Sequence, residues 1–345
     1  MKSFLLGVLS IIIALIFLFI MGELAARAYF AYDEQSRSEK LFSSLTLDDK
    51  LGWRPSSNYS FSGELRDASR ELYPVELSTD SRGFRIYGNP ETDERKKVLF
   101  LGDSFTQAMQ VSDDKTYYAL LGEAMDIEVF AYGVDGYGSL QEYMVLDKYV
   151  DEIKPDAVII QFCPNDIINN HPDLESRSNF NRMGLRRPYL VDGEVVYITA
   201  ASFPRLRQFA ASYSKLLYTV IRQIDRLTAN RDTSIERVVR EEGMSNPLFR
   251  EALDVVDQIL AKVVARVPEG TEVFVFSSHW GRPYHPAFIE VAEKNGIRFI
   301  NGNGRGLDIA EKKGVTTKAA DTAHWNNEGH RIVANTLQRY LEKIW

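Results

Sequence analysis

The apolar pattern begins without interruption: from Ser3 to Gly22 no charged residue occurs, and Leu, Ile, Phe, Val and Ala dominate. A helix rising about 1.5 Å per residue over that stretch crosses a hydrocarbon layer of roughly 30 Å. Residues 1–23 therefore read as a transmembrane anchor. A secretory signal peptide is the competing reading, since Ala26-Arg27-Ala28 matches an Ala-x-Ala cleavage site, but its apolar region should span only about 7–15 residues. Lys2 and the terminal amine favour a cytoplasmic amino end, whereas Arg27, Arg37 and Lys40 beyond the span weaken that preference. Either way the remainder is expected to be exported.

Residues Leu24 to Lys50 are charged and mixed, and Leu51 through Gly88 is rich in turn formers, Tyr and Phe. The segment 24–95 is expected to be a stalk followed by irregular, partly β structure. The pattern then becomes regular. Lys97 to Leu101 is a short apolar run ending at Gly102, as expected for a strand buried on both faces. Thr116 to Met125 reads as a helix, Ile127 to Tyr132 as a strand, Gly138 to Ile153 as a helix halted by Pro155, and Ala157 to Phe162 as a third strand. Further on, Glu272 to Ser277 and Ile297 to Asn301 predict strands around a helix at Pro286 to Lys294, and Asn326 to Ile344 closes the chain as a helix. Alternating strands and helices predict an α/β domain over 96–345, with a parallel sheet covered on both faces and right-handed crossovers. The excursion of about 167–269 is too long for a plain crossover; amphipathic stretches near Leu206 to Leu227 and Pro247 to Val267 make it a helical insertion, either a lid or substrate wall or extra scaffold.

Composition narrows the class. A formal charge of −7 and no long basic run leave no electrostatic footprint for nucleic acid. The single cysteine, Cys163, excludes an intrachain disulfide and a multi-thiolate metal site. It reads as a buried strand-end residue.

Four segments carry chemistry: Gly102-Asp103-Ser104-Phe105-Thr106, the loop from Gly133 to Gly138, Pro164-Asn165-Asp166, and Asp321-Thr322-Ala323-His324. Parallel sheets place ligands beyond the carboxyl ends of their strands, so all four are expected on one rim. A serine hydroxyl needs a base within hydrogen-bond reach, and the base needs a partner that fixes its tautomer. Ser104, His324 and Asp321 supply nucleophile, base and orienter, the three-residue spacing of the last two allowing a turn to join them. The Ser104 backbone N–H, the Gly136 backbone N–H and the Asn165 side-chain amide are the candidate oxyanion donors. Asp103 and Asp166 read as loop-structuring carboxylates. His279 and His285, around Trp280-Gly281-Arg282-Pro283-Tyr284, are pocket-lining or loop-packing with equal weight, His171 and His330 are structural, and Arg186-Arg187 reads as a solvated face rather than an anion site.

Each motif alone is common, but together and in this order they resemble the SGNH hydrolases, also called the GDSL esterases and lipases. Gly102-Asp103-Ser104-Phe105-Thr106 is similar to the nucleophile block, Gly136 to the oxyanion glycine, Asn165 to the asparagine of the Gly-x-Asn-Asp block, and Asp321 and His324 to the final Asp-x-x-His block. Trp325-Asn326 and Gly329-His330 continue a common form of that last block. The resemblance runs from about Val98 to the carboxyl terminus, with the insertion unmatched. Two positions depart from the pattern: Cys163-Pro164 replaces the glycine before Asn165-Asp166, and Phe105 replaces the usual leucine after the nucleophile.

The resemblance implies a flavodoxin-like three-layer α/β/α fold, acyl-serine chemistry, and neither a cofactor nor a required metal. An outward-facing, membrane-held site suits O-acyl esters, acetyl above all, of an extracytoplasmic glycan or lipid, and the family includes polysaccharide O-acetyl esterases and transferases. Esterase is thus the leading expectation, O-acyl transfer to a polysaccharide hydroxyl the alternative, and a noncatalytic anchored binding module the third.

Overall fold

The computed structural model describes residues 2–34, 44–178, 185–199, 203–228 and 234–345. Arg37 and Lys40 of the charge argument, and parts of the stalk and insertion, lie outside these. The apolar amino-terminal stretch is one helix, α1 (Lys2–Glu34), whose segment Leu6–Tyr29 has a mean hydropathy of 2.7 and is not buried by the rest of the chain. Its length and composition are compatible with a membrane anchor or a signal sequence. It runs past residue 23 because no Pro interrupts the Ala- and Leu-rich continuation.

Four short strands follow as two antiparallel hairpins: β1 (Leu45–Asp48) with β2 (Gly52–Pro55), and β3 (Ser60–Arg66) with β4 (Leu72–Ser78). The main sheet begins with β5 (Ile86–Tyr87) and β6 (Lys97–Gly102). It continues with β7 (Glu128–Gly133) and β8 (Ala157–Phe162) and, after a hairpin β9 (Arg187–Val191) and β10 (Glu194–Ile198), ends with β11 (Glu272–Ser277) and β12 (Arg298–Ile300). Its order is β12-β11-β8-β6-β7-β5, with β5 antiparallel to β7 and the other five strands parallel. Counted along the chain, the five parallel strands take the order 2-1-3-4-5, the doubly wound arrangement with a switch point beside the first strand.

The helices after α1 are α2 (Ser104–Gln107), α3 (Tyr117–Met125), α4 (Ser139–Ile153), α5 (Pro164–Asn169), α6 (Pro172–Arg177), α7 (Pro204–Tyr213), α8 (Lys215–Thr228), α9 (Ile235–Glu242), α10 (Pro247–Arg266), α11 (Tyr284–Lys294), α12 (Asn303–Lys312) and α13 (Asn327–Leu341). Strand residues alternate between the two sides. Leu99, Leu101, Phe130 and Ile160 join Val145, Leu146, Val256 and Leu260 of α4 and α10 in one core. Val98, Phe100, Ala131 and Ile159 join Leu121, Val333 and Leu337 of α3 and α13 in the other. Both faces of the sheet are thereby dry, which is why its strands read as continuous apolar runs rather than alternating ones. Caps fix the helix starts: the Thr116 hydroxyl accepts from Ala119 N–H, and Asn326 Oδ1 accepts from Gly329 N–H.

The insertion differs from the helical reading in two respects. It contains the β9–β10 hairpin, turned at Asp192 and Gly193, both with positive φ (50° and 82°). Arg187 is also not on a solvated face. It is 1% exposed, donates to Gln141 Oε1 (2.7 Å), pairs with Glu175 (2.8 Å), and lies over the Trp53 ring. Tyr189 donates to the same carboxylate at 2.6 Å. Buried charge of this kind is stable only when paired and hydrogen-bonded throughout, and these four partners come from four separate elements.

Candidate active site

Ser104 opens α2 directly after the central strand β6, and Asp103 caps that helix by accepting the Phe105 N–H at 3.0 Å. The turn is tight because two glycines remove steric bulk. A Cβ on Gly133 would lie 2.2 Å from the Gln107 backbone nitrogen, and one on Gly102 would lie 2.3 Å from Thr106 Oγ1. Phe105 and Thr106 point inward and are buried, leaving Ser104 half-buried at the rim.

The last loop before α13 meets this serine. His324 Nε2 lies 2.7 Å from Ser104 Oγ, and His324 Nδ1 lies 2.7 Å from Asp321 Oδ2. Asp321 Oδ1 meanwhile accepts the backbone N–H groups of Ala323 and His324, both at 2.9 Å, so one carboxylate folds the turn with one oxygen and holds the imidazole with the other. Thr322 between them has φ 62°, a conformation costly for a β-branched residue and held here by its N–H bond to Ala319 O. The β3–β4 hairpin braces the loop from outside: Ala68 N–H donates to Lys318 O and Ala320 N–H to Arg66 O.

Electrostatics suit a base poised to take a proton. Burial works to lower the His324 pKa, but the Asp321 bond and charge, with Asp135 and Asp103 further off, outweigh it and leave the imidazole raised. For Asp321 burial pushes up, yet His324 and the two backbone N–H groups prevail and hold its carboxyl down at about 2. The carboxylate is thus charged across the neutral range.

Gly136 and Asn165 follow β7 and β8, the strands that flank β6 on its two sides, so both belong to the same sheet edge as Ser104. Gly136 has φ 73°, which a glycine adopts without strain. Burial pushes the Asp103 carboxyl up, while the Phe105 N–H, His324 and the Asn165 side chain act in the other direction. Asp166 Oδ2 accepts the Cys163 N–H at 2.8 Å and closes the loop before α5.

Several supports were not legible from the motifs. Asn169 donates to the carbonyls of Gly136 (3.0 Å) and Tyr137 (3.3 Å), Gln107 Oε1 accepts Asp135 N–H (2.8 Å), and Trp53 Nε1 donates to Asp135 O (2.9 Å). Three elements therefore clamp the glycine loop. Arg85, 5% exposed, donates to the carbonyls of Gln107, Ala108 and Val111 at the end of α2 and pairs with Asp113 at 2.8 Å. His279 sets its edge against the Phe105 ring (centroids 5.1 Å apart), and burial, His324 and Lys318 pull its pKa down to about 4. The charged imidazolium is thereby disfavoured. His285 packs on Trp280, His171 caps α6, and His330 Nδ1 accepts Tyr117 N–H at 3.2 Å. Among the described residues no His, Cys, Asp and Glu group has a metal-holding arrangement.

A recess of about 550 Å³ flanks the Asp321 turn, lined by Arg66, Asp67, Ala68, Arg70, Ala320 and Thr322. Its walls are mixed in character, with two guanidinium side chains among them.

No curated protein matches the sequence. Similar folds include the acetylxylan esterase Axe2 from Geobacillus stearothermophilus (16% identity, 71% of this chain and 93% of that one, TM-score 0.37). Others are the esterase EstA from Pseudoalteromonas sp. (14%, 72% and 97%, TM-score 0.39) and LAE5, an alpha/beta hydrolase enzyme from the metagenome of Lake Arreo, Spain (15%, 70% and 93%, TM-score 0.40). The family model of the GDSL-like lipases and acylhydrolases matches residues 100–332, more than half of the chain and all four motif segments. The chain belongs to the GDSL-like lipase/acylhydrolase family and is a carboxylic ester hydrolase.

Proposed function

We propose that this hydrolase works through an acyl-serine intermediate on O-acyl, chiefly O-acetyl, esters of an extracytoplasmic glycan, with Ser104 as nucleophile, His324 as base and Asp321 as its orienter. The observation that carries the reading is the unbroken hydrogen-bond line Asp321–His324–Ser104, 2.7 Å at each step. His324 takes the hydroxyl proton as Ser104 Oγ attacks the ester carbonyl, and the Ser104 and Gly136 N–H groups with the Asn165 amide receive the oxyanion. Collapse returns the proton from His324 to the departing alcohol oxygen. Water, deprotonated by the same imidazole, then attacks the acyl-serine and releases the carboxylic acid and free Ser104.

The glycan preference is supported by the recess beside Asp321, where Arg66, Arg70 and Thr322 offer hydrogen-bond donors to a hydroxyl- or carboxylate-bearing sugar, and by the exposed apolar α1, which as a single-pass anchor would hold the site outside the cytoplasm. Incubating the purified full chain with an acetylated polysaccharide and with a soluble acetyl ester, each with and without free glycan, tests it. Acetate release that a glycan acceptor leaves unchanged is expected. Acetylated acceptor appearing in place of acetate would convert the reading to O-acyl transfer, and no turnover of either ester would overturn it.

A further inference from the structure

The first charged residue after Lys2 is Glu23, and it is committed to the insertion. Its carboxylate accepts the backbone N–H groups of Lys215 and Leu216, each at 3.0 Å, and the Ser214 hydroxyl at 2.9 Å. A negative charge at this end of α8 satisfies N–H groups that have no partner inside the helix. Arg27, one turn further on, pairs with Glu23 at 2.7 Å and donates to Tyr213 O, the last residue of α7, at 3.0 Å. Gly22 completes the joint: a Cβ there would lie 2.9 Å from Leu216 Cδ2. The α7–α8 hairpin is thus fastened to α1 at the point where the uncharged stretch ends.

Both helices of that hairpin expose apolar side chains. Leu206, Phe209 and Tyr213 recur at three- and four-residue spacing along α7, and Val220, Ile224 and Leu227 along α8, so each set forms one stripe. Leu227 is 85% and Tyr213 69% exposed in the folded chain. On α8 the polar residues Lys215 and Thr219 lie about 140° and about 100° around the helix from Val220, off the apolar stripe. An amphipathic helix of this kind lies in the headgroup region with its apolar face in the acyl boundary.

We propose that the α7–α8 hairpin is a membrane-interface element, its apolar stripes seated in the lipid leaflet into which α1 inserts. This rests on reading α1 as an uncleaved span. Lipid is favoured over another occupant because the hairpin is joined to α1 at Glu23, and a span of Ser3 to Gly22 filling the roughly 30 Å hydrocarbon layer brings that residue to the boundary. The insertion then orients the hydrolase domain on the membrane in addition to the single tether.

The test uses the full chain reconstituted in phosphatidylcholine and phosphatidylglycerol liposomes. An environment-sensitive fluorophore is attached to a cysteine introduced at Leu227, Val220 or Ile16, Cys163 being buried. Probes at Ile16, Val220 and Leu227 should be quenched by nitroxides on lipid acyl chains and protected from aqueous iodide. Lipid quenching at Ile16 with iodide access at Val220 and Leu227 would overturn the hairpin inference and leave the anchor standing. Absence of lipid quenching at Ile16 would overturn the anchor and the inference together. Protection at Val220 and Leu227 from both quenchers would mean that a second copy or another protein covers the stripe, which also overturns it. In a Val220→Asp/Leu227→Asp chain, a probe at Phe209 should lose its lipid quenching while hydrolysis of a soluble acetyl ester is unchanged; quenching that persists would contradict the role of the stripe.

Discussion

Ser104 Oγ and His324 Nε2 lie 2.7 Å apart although 220 residues separate them in the chain. The contact is made by two short, stiff pieces, the α2 turn at the end of β6 and the Asp321 turn before α13. Each is folded by its own aspartate: Asp103 caps the first and Asp321 the second.

That pairing sets a pH dependence. As the proposed base His324 can take a proton only when neutral, so kcat/KM should fall as pH drops through its pKa, which Asp321 raises above the ordinary 6.5 despite burial. Asp321→Asn removes that partner charge and presents a neutral amide. The acid limb should move to lower pH, and the plateau rate should fall by up to about 10⁴-fold, less where water already screens this partly exposed carboxylate. A pH–rate profile of both proteins checks it. An acid limb that stays in place would show that Asp321 does not govern the imidazole.

Asn165 tests the proposed oxyanion donors. Asn165→Ala removes the side-chain donor and should lower kcat by about 10²–10³-fold. KM should change little, because the lost interaction strengthens only as charge develops on the carbonyl oxygen. A matching loss in KM with kcat preserved would instead make Asn165 a ground-state contact.

Gly133 tests how tightly the nucleophile turn is built. Gly133→Ala drives a Cβ to 2.2 Å from the Gln107 nitrogen and 2.4 Å from the Thr106 carbonyl carbon, backbone atoms that cannot rotate away. Denaturant titration should show destabilisation of about 1–3 kcal/mol, with activity reduced because α2 is displaced. Gly281→Ala is the control, since an added Cβ there meets nothing within 4 Å. Equal behaviour of the two variants would contradict the tight turn.

What could be read from the chain follows from the range of the interactions involved. Ala157–Phe162 and Glu272–Ser277 have their expected limits because a strand buried on both faces is an apolar run bounded by local breakers. The helix Asn303–Lys312 was not anticipated: among its residues only Asn303 and Leu307 are buried, too little for a clear apolar stripe. The Asp192-Gly193 turn was a local hairpin signal, but its flanks Arg187 to Val191 and Glu194 to Ile198 carry no clean alternation, and the segment read as helical surroundings. Arg187 was misread for a different reason. Its burial depends on Glu175, Gln141 and Trp53, none of which a local window contains. The same holds for the clamps on the glycine loop, where Trp53 reaches Asp135 from 82 residues away. The four motif segments were visible because each sits whole within a few residues at a strand end or helix start.

The assignment of Ser104 as nucleophile is tested most directly by reacting the full chain with a fluorophosphonate and locating the adduct by mass spectrometry. One adduct on the peptide carrying Ser104 is expected, absent in Ser104→Ala and slowed strongly in His324→Ala. Labelling of Ser104→Ala equal to that of the unaltered protein, or no labelling of the folded protein at all, would contradict the account.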